Sequence, residues 1–428
     1  MQFVKREWFS KIKSFSGIRS FSNGELKSLT ISLKIGFENK MHRIYISSIA
    51  SNDESLRTII ETVLNSIKIS LIRGNEPTLP ENLEIDGFGN TAIITNNNIV
   101  YHTAGEVPEA PTISIEKLKI HQNSYKGQFL GGYVLLTPTH LVEIKKSGIL
   151  EDYLEKLIKI PDVAFSAIGV NVKNLSSILK SRRAIFSIFD KGLFRENNED
   201  SCLSSTIELS NNNMRTRYNV LCVADGVGGS NYGEIASRDA IIESYISTII
   251  GILNHHPLEK IVYDAVISAN NAVLKDKIEL GEMGTTLTLG VLKKNDLAVG
   301  HVGDSRAYII NENEIKQITT DHKYVENLLR FGVIKKHEAK FHPSRNIITN
   351  ALGLEKPKID VILNRITEKD CILLATDGLT DLVDDSEIHS CFIEYPPHPE
   401  LIGKLLVYMA NIKGGKDNIS LSLITPIV

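Results

Sequence analysis

Three observations predict an α+β fold of packed sheets with helices on their outer faces, organised as two domains. The chain has 428 residues, 42% of them hydrophobic, enough for more than one core when a domain spans about 100 to 200 residues. In the second half apolar residues recur at helical spacing over 233–253 and 259–275, then at period two over 284–311. Strand-rich stretches at 216–224, 359–376 and 418–427 flank the helical pair, so strands far apart in sequence have to meet around it.

The basic start MQFVKREWFSKIK lacks the continuous apolar stretch of a signal peptide and reads as a solvated terminal helix, with a short amphipathic helix touching a membrane as the alternative. No apolar run approaches the roughly 20 residues of a membrane span. In the first half Leu56, Ile59, Ile60, Val63, Leu64 and Ile67 share one helical face. In the second, Ile235, Ile241, Ile242, Tyr245, Ile246, Ile249 and Ile250 mark one helix, and Val262, Ala265, Val266, Ala269, Ala272 and Val273 another. Leu287, Leu289 and Val291 then alternate along a strand, a turn falls at Lys294-Asn295-Asp296, and Leu297–Val302 returns as the second arm of a hairpin.

Charged residues make up 23% of the chain and the net charge is −3, so no long-range field marks a nucleic-acid partner. The cysteines Cys202, Cys222, Cys371 and Cys391 have no CxxC spacing and suit reduced, mostly buried thiols, which points to the cytoplasm.

Acidic residues gather where strands hand over to loops: RENNEDS (Arg195–Ser201), ADGVGG (Ala224–Gly229), GHVGDSR (Gly300–Arg306), ATDGL (Ala375–Leu379) and GGKDN (Gly414–Asn418). Carboxylates converging from different strands can hold hard divalent cations, which take oxygen ligands and keep several waters. A glycine after the aspartate lets backbone approach closely and leaves its carbonyl available as a further ligand. Asp-Gly is also a common turn dipeptide, and Asp86-Gly87 reads as one.

The ordered set resembles the metal-dependent protein phosphatases, the type 2C (PPM) serine/threonine family, over nearly all of 185–428. The resemblance rests on Arg195 with Asn198-Glu199-Asp200, on Asp225 to Gly229 followed by Gly233-Glu234-x-Ala236-Ser237, and on Gly284-Thr285-Thr286. It continues through Gly303-Asp304-Ser305-Arg306, Asp321-His322, Ala351-Leu352-Gly353, Thr376-Asp377-Gly378-Leu379 and Asp417-Asn418. It implies a four-layer α-β-β-α sandwich of two antiparallel sheets flanked by helices, and two Mn2+ or Mg2+ ions. Asp225 is expected to bridge them, Asp377 and Asp417 to complete the first, and Glu199 with the Gly226 carbonyl to serve the second. Asp304 matches a ligand of a third, weaker ion. Arg195 is expected to meet the substrate phosphate through a two-pronged contact, with Asp200 and Asn418 in support. Arg306, Asp321 and His322 stay open between site residues and loop hydrogen-bonders.

The implied chemistry is attack by a water that two ions acidify, on a phosphoserine or phosphothreonine of a protein substrate. Cysteine nucleophilic attack finds no support, since none of the four lies in a phosphate-cradling glycine loop. Val227 stands where many eukaryotic members have a general-acid histidine, as in bacterial-type members. Residues 321–350 match the family's flap, with Val325, Leu328 and Leu329 at helical spacing before Gly332. Arg330, Lys335, Lys336, Lys340 and Arg345 there read either as a solvated face or as contacts for acidic phosphopeptides.

The first 175 residues lack these motifs but parallel the second half in four segments. Gly17–Ser51 aligns without a gap with Gly192–Gly226, and Gly89–Val107 with Gly284–Ser305. Tyr133–Glu143 aligns with Cys371–Asp381, and Pro161–Val170 with Lys416–Thr425. The fold is therefore expected twice: a degenerate domain over 1–175 and a catalytic domain over 183–428. In the first copy Ser20, Gly24, Ala50 and Thr139 take the places of Arg195, Glu199, Asp225 and Asp377, and only Glu106 and Asp162 keep an acid. Such a domain is expected to pack on its catalytic neighbour, to recognise a substrate or a cognate serine/threonine kinase, or to dimerise. The alternative function is a non-catalytic phosphoprotein-binding or kinase-regulating module. Retention of Glu199, Asp225, Asp377 and Asp417 favours the enzyme.

Overall fold

The computed structural model describes residues 15–22, 26–75, 88–95, 98–105, 119–121, 125–128, 132–137, 141–145, 150, 154, 164–172, 183–211, 214–227, 232–339, 341–394 and 398–427. The chain forms two units. The first comprises Met1–Leu33, His42–Ser181 and Ser205–Tyr218, and the second Lys34–Met41, Arg182–Ser204 and Asn219–Val428.

The first unit begins with β1 (Phe15–Ser22), β2 (Lys27–Phe37) and β3 (Lys40–Ala50), followed by the helix α1 (Asp53–Ile72). β4 (Phe88–Thr95), β5 (Asn98–Gly105), β6 (Lys119–His121) and β7 (Tyr125–Gln128) come next, then β8 (Gly132–Leu136), β9 (Leu141–Ile144) and β10 (Ala164–Val172). One antiparallel sheet has the order β1-β10-β8-β9-β6, and a second set runs β2-β3-β4-β5-β7. Ile18, Val134, Leu136 and Ile168 from the first, with Tyr45, Ile49, Ala92 and Ile99 from the second, form one core cluster. α1 starts where Asn52 caps it, its Oδ1 accepting the Ser55 N–H at 2.8 Å, and such a cap is worth about 1 kcal/mol. Its predicted apolar face is buried from Leu56 to Ile67.

The second unit opens with β11 (Arg183–Asp190), β12 (Asp200–Asn211) and β13 (Met214–Asp225), then α2 (Gly233–Leu253) and α3 (Leu258–Leu280). β14 (Leu287–Lys293), β15 (Asp296–Val302), β16 (Arg306–Ile310) and β17 (Ile315–Gln317) precede the short helices α4 (Tyr324–Arg330) and α5 (Lys336–Ala339). β18 (Asp360–Arg365), β19 (Cys371–Ala375), α6 (Asp377–Thr380), α7 (Asp385–Glu394), α8 (Pro399–Ile412) and β20 (Ile419–Pro426) complete it. Strands run β11-β20-β19-β16-β17 in one sheet and β18-β15-β14-β13-β12 in the other. Leu221, Val223, Leu292 and Val299 meet Ala307, Ile372, Leu374 and Ile424 between them. Helices α2 and α3 pack on β14 and β15, and α8 packs on β11 and β20. Helix, sheet, sheet and helix thus lie in four layers, and the strands pair antiparallel.

One expectation is corrected. Asp296 already pairs with Lys293 in the hairpin ladder, so the turn is Lys294-Asn295 alone, with Lys294 at φ 54°. Leu141–Ile144 forms β9, which pairs with β8 and buries Leu141, Val142 and Ile144. Among the described residues no helix is long and apolar enough to cross a membrane.

Candidate metal centre

Each acid of the expected set sits at or beside a strand end. Glu199 and Arg195 lie on the 191–199 connection, Asp200 opens β12, Asp225 closes β13, and Asp304 follows β15. Asp377 begins α6 directly after β19, and Asp417 precedes β20. The glycines beside them serve close approach. A side chain at Gly226 would overlap the Gly233 backbone at the head of α2, and one at Gly378 the Asn418 carbonyl. Neither has positive φ, so these two Asp-Gly pairs are not left-handed turns. Gly228 and Gly229 lie outside the described residues.

Backbone and side-chain bonds fix the strand ends. The Asp225 N–H donates to Thr286 Oγ1 at 2.9 Å, and its carbonyl accepts from the Thr286 N–H at 2.8 Å and from Thr285 Oγ1 at 2.9 Å. The Gly226 N–H donates to the Glu199 carbonyl at 3.1 Å, joining two ligand-bearing loops. Asn418 ties down the third: its Oδ1 accepts the Glu199 N–H at 2.8 Å, and its Nδ2 donates to the carbonyls of Lys191 at 2.9 Å and Asn197 at 3.0 Å. Thr376 Oγ1 donates to Asp200 Oδ2 at 2.8 Å.

The charges have been drawn out of water and towards one another. Burial first, then Asp200, Asp377, Asp304 and Asp417, raises the Asp225 carboxyl well above the carboxylate range. Burial first, then Asp304, Asp381 and Asp417, does the same to Asp377 against the opposing pull of Lys323. Asp200 is pushed up to about 7, mainly by burial, and burial also raises Glu199 and Asp304. Two cations answer this field. Arg195 Nη2 lies 2.8 Å from Asp417 Oδ2, with both side chains partly exposed. Lys323 Nζ lies 2.8 Å from Asp304 Oδ2 and 3.8 Å from Asp377 Oδ2, its side chain only 8% exposed.

Lys323 is the residue that the sequence reading missed. It follows Asp321-His322 directly, so its number in the chain was the available signal, but the basic run of the flap drew attention beyond it. Arg306 and Asp321 pair with each other through bonds of 2.7 to 3.0 Å. His322 anchors the flap: Nδ1 accepts the Gly303 N–H at 3.1 Å, Nε2 meets Asp360 Oδ2 at 3.0 Å, and its carbonyl accepts the Thr349 N–H at 2.7 Å. Lys340 lies outside the described residues, while Arg330, Lys335 and Arg345 are on the surface.

Among the described residues no three His, Cys, Asp or Glu side chains stand close enough to enclose an ion by themselves. The donors are nevertheless all hard oxygens, and Asp200 Oδ1 is buried with no hydrogen-bond partner. Separated carboxylates of this kind fit a cation that keeps part of its water shell, as Mg2+ and Mn2+ do. The donor chemistry around Asp225, Asp377, Asp417 and Glu199 therefore suits such a cation, whereas Asp304 already faces an ammonium.

In the first unit Ser20 lies within β1, its N–H bonded to Glu208 Oε1 at 2.8 Å, and Ala50 closes β3 fully buried. The ungapped alignment thus breaks at Ser20, because Ser20 lies within β1 whereas Arg195 lies beyond the end of β11. Gly24, Glu106, Thr139 and Asp162 lie outside the described residues.

The family model for protein phosphatase 2C matches residues 186–327. The chain is 31% identical over 241 residues to the serine/threonine phosphatase stp of Listeria welshimeri, covering 55% of this chain and 92% of that protein. It is 33% identical over 239 residues to the serine/threonine protein phosphatase PstP of Mycobacterium tuberculosis, covering 54% of this chain and 42% of that one. Among solved structures, the catalytic domain of PstP in complex with two manganese ions aligns at 28% identity and a TM-score of 0.47, over 57% of this chain and 99% of that one.

Proposed function

Because this chain belongs to the protein phosphatase 2C family of protein-serine/threonine phosphatases, we propose that residues 183–428 are a catalytically active domain that dephosphorylates phosphoserine and phosphothreonine in proteins with Mn2+ or Mg2+. One observation carries the reading: Glu199, Asp225, Asp377 and Asp417 are all present at strand ends of one sandwich, and their charges act on one another. Asp225, Asp377, Asp417, Glu199 and the Gly226 carbonyl would hold the ions. When bound, the ions supply an acidified water and a positive clamp on the phosphoryl oxygens. The partly exposed Arg195 guanidinium exchanges Asp417 for the substrate phosphate, which it meets with two parallel N–H bonds. Asp200 and Asn418 support the ligands from behind.

The thiols supply no competing route. Burial pushes Cys391 up to about 11 and Cys202 and Cys371 up to about 12, so none of the three is a thiolate nucleophile at neutral pH.

We read the first half as a degenerate copy of the same sandwich, acting as a binding domain for the catalytic half, a kinase or substrate, or a second chain. The strand order β2-β3-β4-β5-β7 supports this, since it repeats β12-β13-β14-β15-β18, and β1-β10-β8 repeats β11-β20-β19. The buried Ala50 stands at the end of β3 as Asp225 stands at the end of β13. A cytoplasmic setting suits four free cysteines.

The deciding experiment is phosphate release from a phosphothreonine peptide by the full chain with Mn2+, with and without chelator, in wild type and Asp225→Ala. Release that depends on Mn2+ and on Asp225 is expected. Chelator-resistant release would overturn the metal mechanism, and no release under any condition would favour a binding module.

A further inference from the structure

The acid expected to hold a third ion does not face open space. Asp304 is 1% exposed, and its Oδ2 lies 2.8 Å from the ammonium of Lys323. The same ammonium is 3.8 Å from Asp377 Oδ2. Lys323 is held at both ends. Its backbone bridges to Ile348 across the base of the flap, the Tyr324 N–H donates to the Ile347 carbonyl at 2.9 Å, and the Lys323 carbonyl accepts the Glu326 N–H at 3.1 Å. His322, one residue earlier, is bonded to the Gly303 backbone, so the lysine reaches Asp304 from an anchored peptide.

A divalent ion on Asp304 would sit within a few ångströms of this ammonium. Two cations at such range in a site shielded from water repel strongly, and expelling the lysine would bury its charge unpaired or unravel the flap base. We propose that Lys323 is a built-in cation at the third-ion position: this chain takes up two divalent ions, and the ammonium, covalently part of the flap, neutralises Asp304 in place of a third. The inference rests on the two-ion reading above. It adds that the charge of the third position is fixed and insensitive to ion concentration, while the flap base is tied to the centre by a contact that chelation leaves intact.

The test is Mn2+ stoichiometry of the full chain, from the electron paramagnetic resonance signal of free Mn2+ during titration, with Lys323→Ser and Asp304→Asn beside wild type. Two ions are expected in wild type and three in Lys323→Ser, and the double variant Lys323→Ser/Asp304→Asn is expected to return to two. Asp304→Asn alone is expected to keep two ions. Should Lys323→Ser not fold, that single variant still decides, since loss of an ion from it would make Asp304 a ligand and overturn the proposal. Three ions in wild type, or two in folded Lys323→Ser, would overturn it while leaving the phosphatase reading standing. No bound ion in wild type would defeat both.

Discussion

Two strand-to-helix passages in this molecule begin alike and end differently. β3 closes on Ala50, and after Ser51 the side chain of Asn52 caps α1. β13 closes on Asp225, and residues 226–232 intervene before α2. The connections one strand earlier differ in the same sense: residues 23–26 separate β1 from β2, whereas residues 191–199, with Arg195 and Glu199, separate β11 from β12. A sandwich needs only alternation and caps, and the first unit has these. Chemistry requires loops that contribute little packing. Leu193 and Phe194 are exposed at 66% and 73%, so the 191–199 loop is held by polar bonds to Asn418 and Gly415.

The sharpest way to break the comparison is to make one strand end resemble the other. Asp225→Ala gives β13 the ending of β3 and is expected to lower phosphate release on the order of 10³-fold, equivalent to about 4 kcal/mol of transition-state stabilisation, with circular dichroism unchanged. Activity within tenfold of wild type would show that the lost acid is not what separates the two units. Asn418→Ala leaves the acids in place but frees the loop, and Mn2+ titration should show affinity weaker by about 10- to 100-fold. Unaltered affinity would mean that the loop holds its shape without the staple.

A third prediction concerns pH. Asp200, Asp225, Asp377 and Glu199 all have raised carboxyl pKa values, with burial as the leading cause. The folded state therefore binds more protons than the unfolded state between the ordinary carboxylate range and the raised values. Their contribution to stability is full below the ordinary range and is lost as pH rises, for Asp200 through about 7. Without added divalent ion the unfolding temperature should climb as pH falls from 8 to 6, by about 2–4 °C per kcal/mol gained. With Mn2+ the ion competes with those protons, so its affinity should fall over the same interval. A flat ion-free profile would indicate that burial does not hold these carboxyls in the protonated form. The smallest effect is expected in the first unit, where Asn52→Ala should cost about 1 kcal/mol in urea unfolding and leave phosphate release within twofold.

Much of this was legible because strand ends advertise themselves. Asp225 and Asp377 each follow an apolar run and precede a glycine, and both land where backbone from another element approaches. The helices α1, α2 and α3 were readable from spacing since each buries a continuous face. What escaped depended on partners distant in sequence. Lys323 looks like the first charge of a basic flap until the fold sets Asp304 and Asp377 beside it. Asn418 reads as a neighbour of Asp417, yet its work lies across the fold at Lys191, Asn197 and Glu199.

The buried cysteines carry a consequence beyond packing. Phosphatases that work through a thiolate are silenced when peroxide oxidises that sulfur, because the same ionisation that makes it nucleophilic makes it oxidisable. Here Cys202, Cys222 and Cys391 are buried, and burial holds all four thiols in the protonated, sluggish form. The proposed dephosphorylation by carboxylates and ions should therefore persist at peroxide concentrations that silence a thiolate phosphatase.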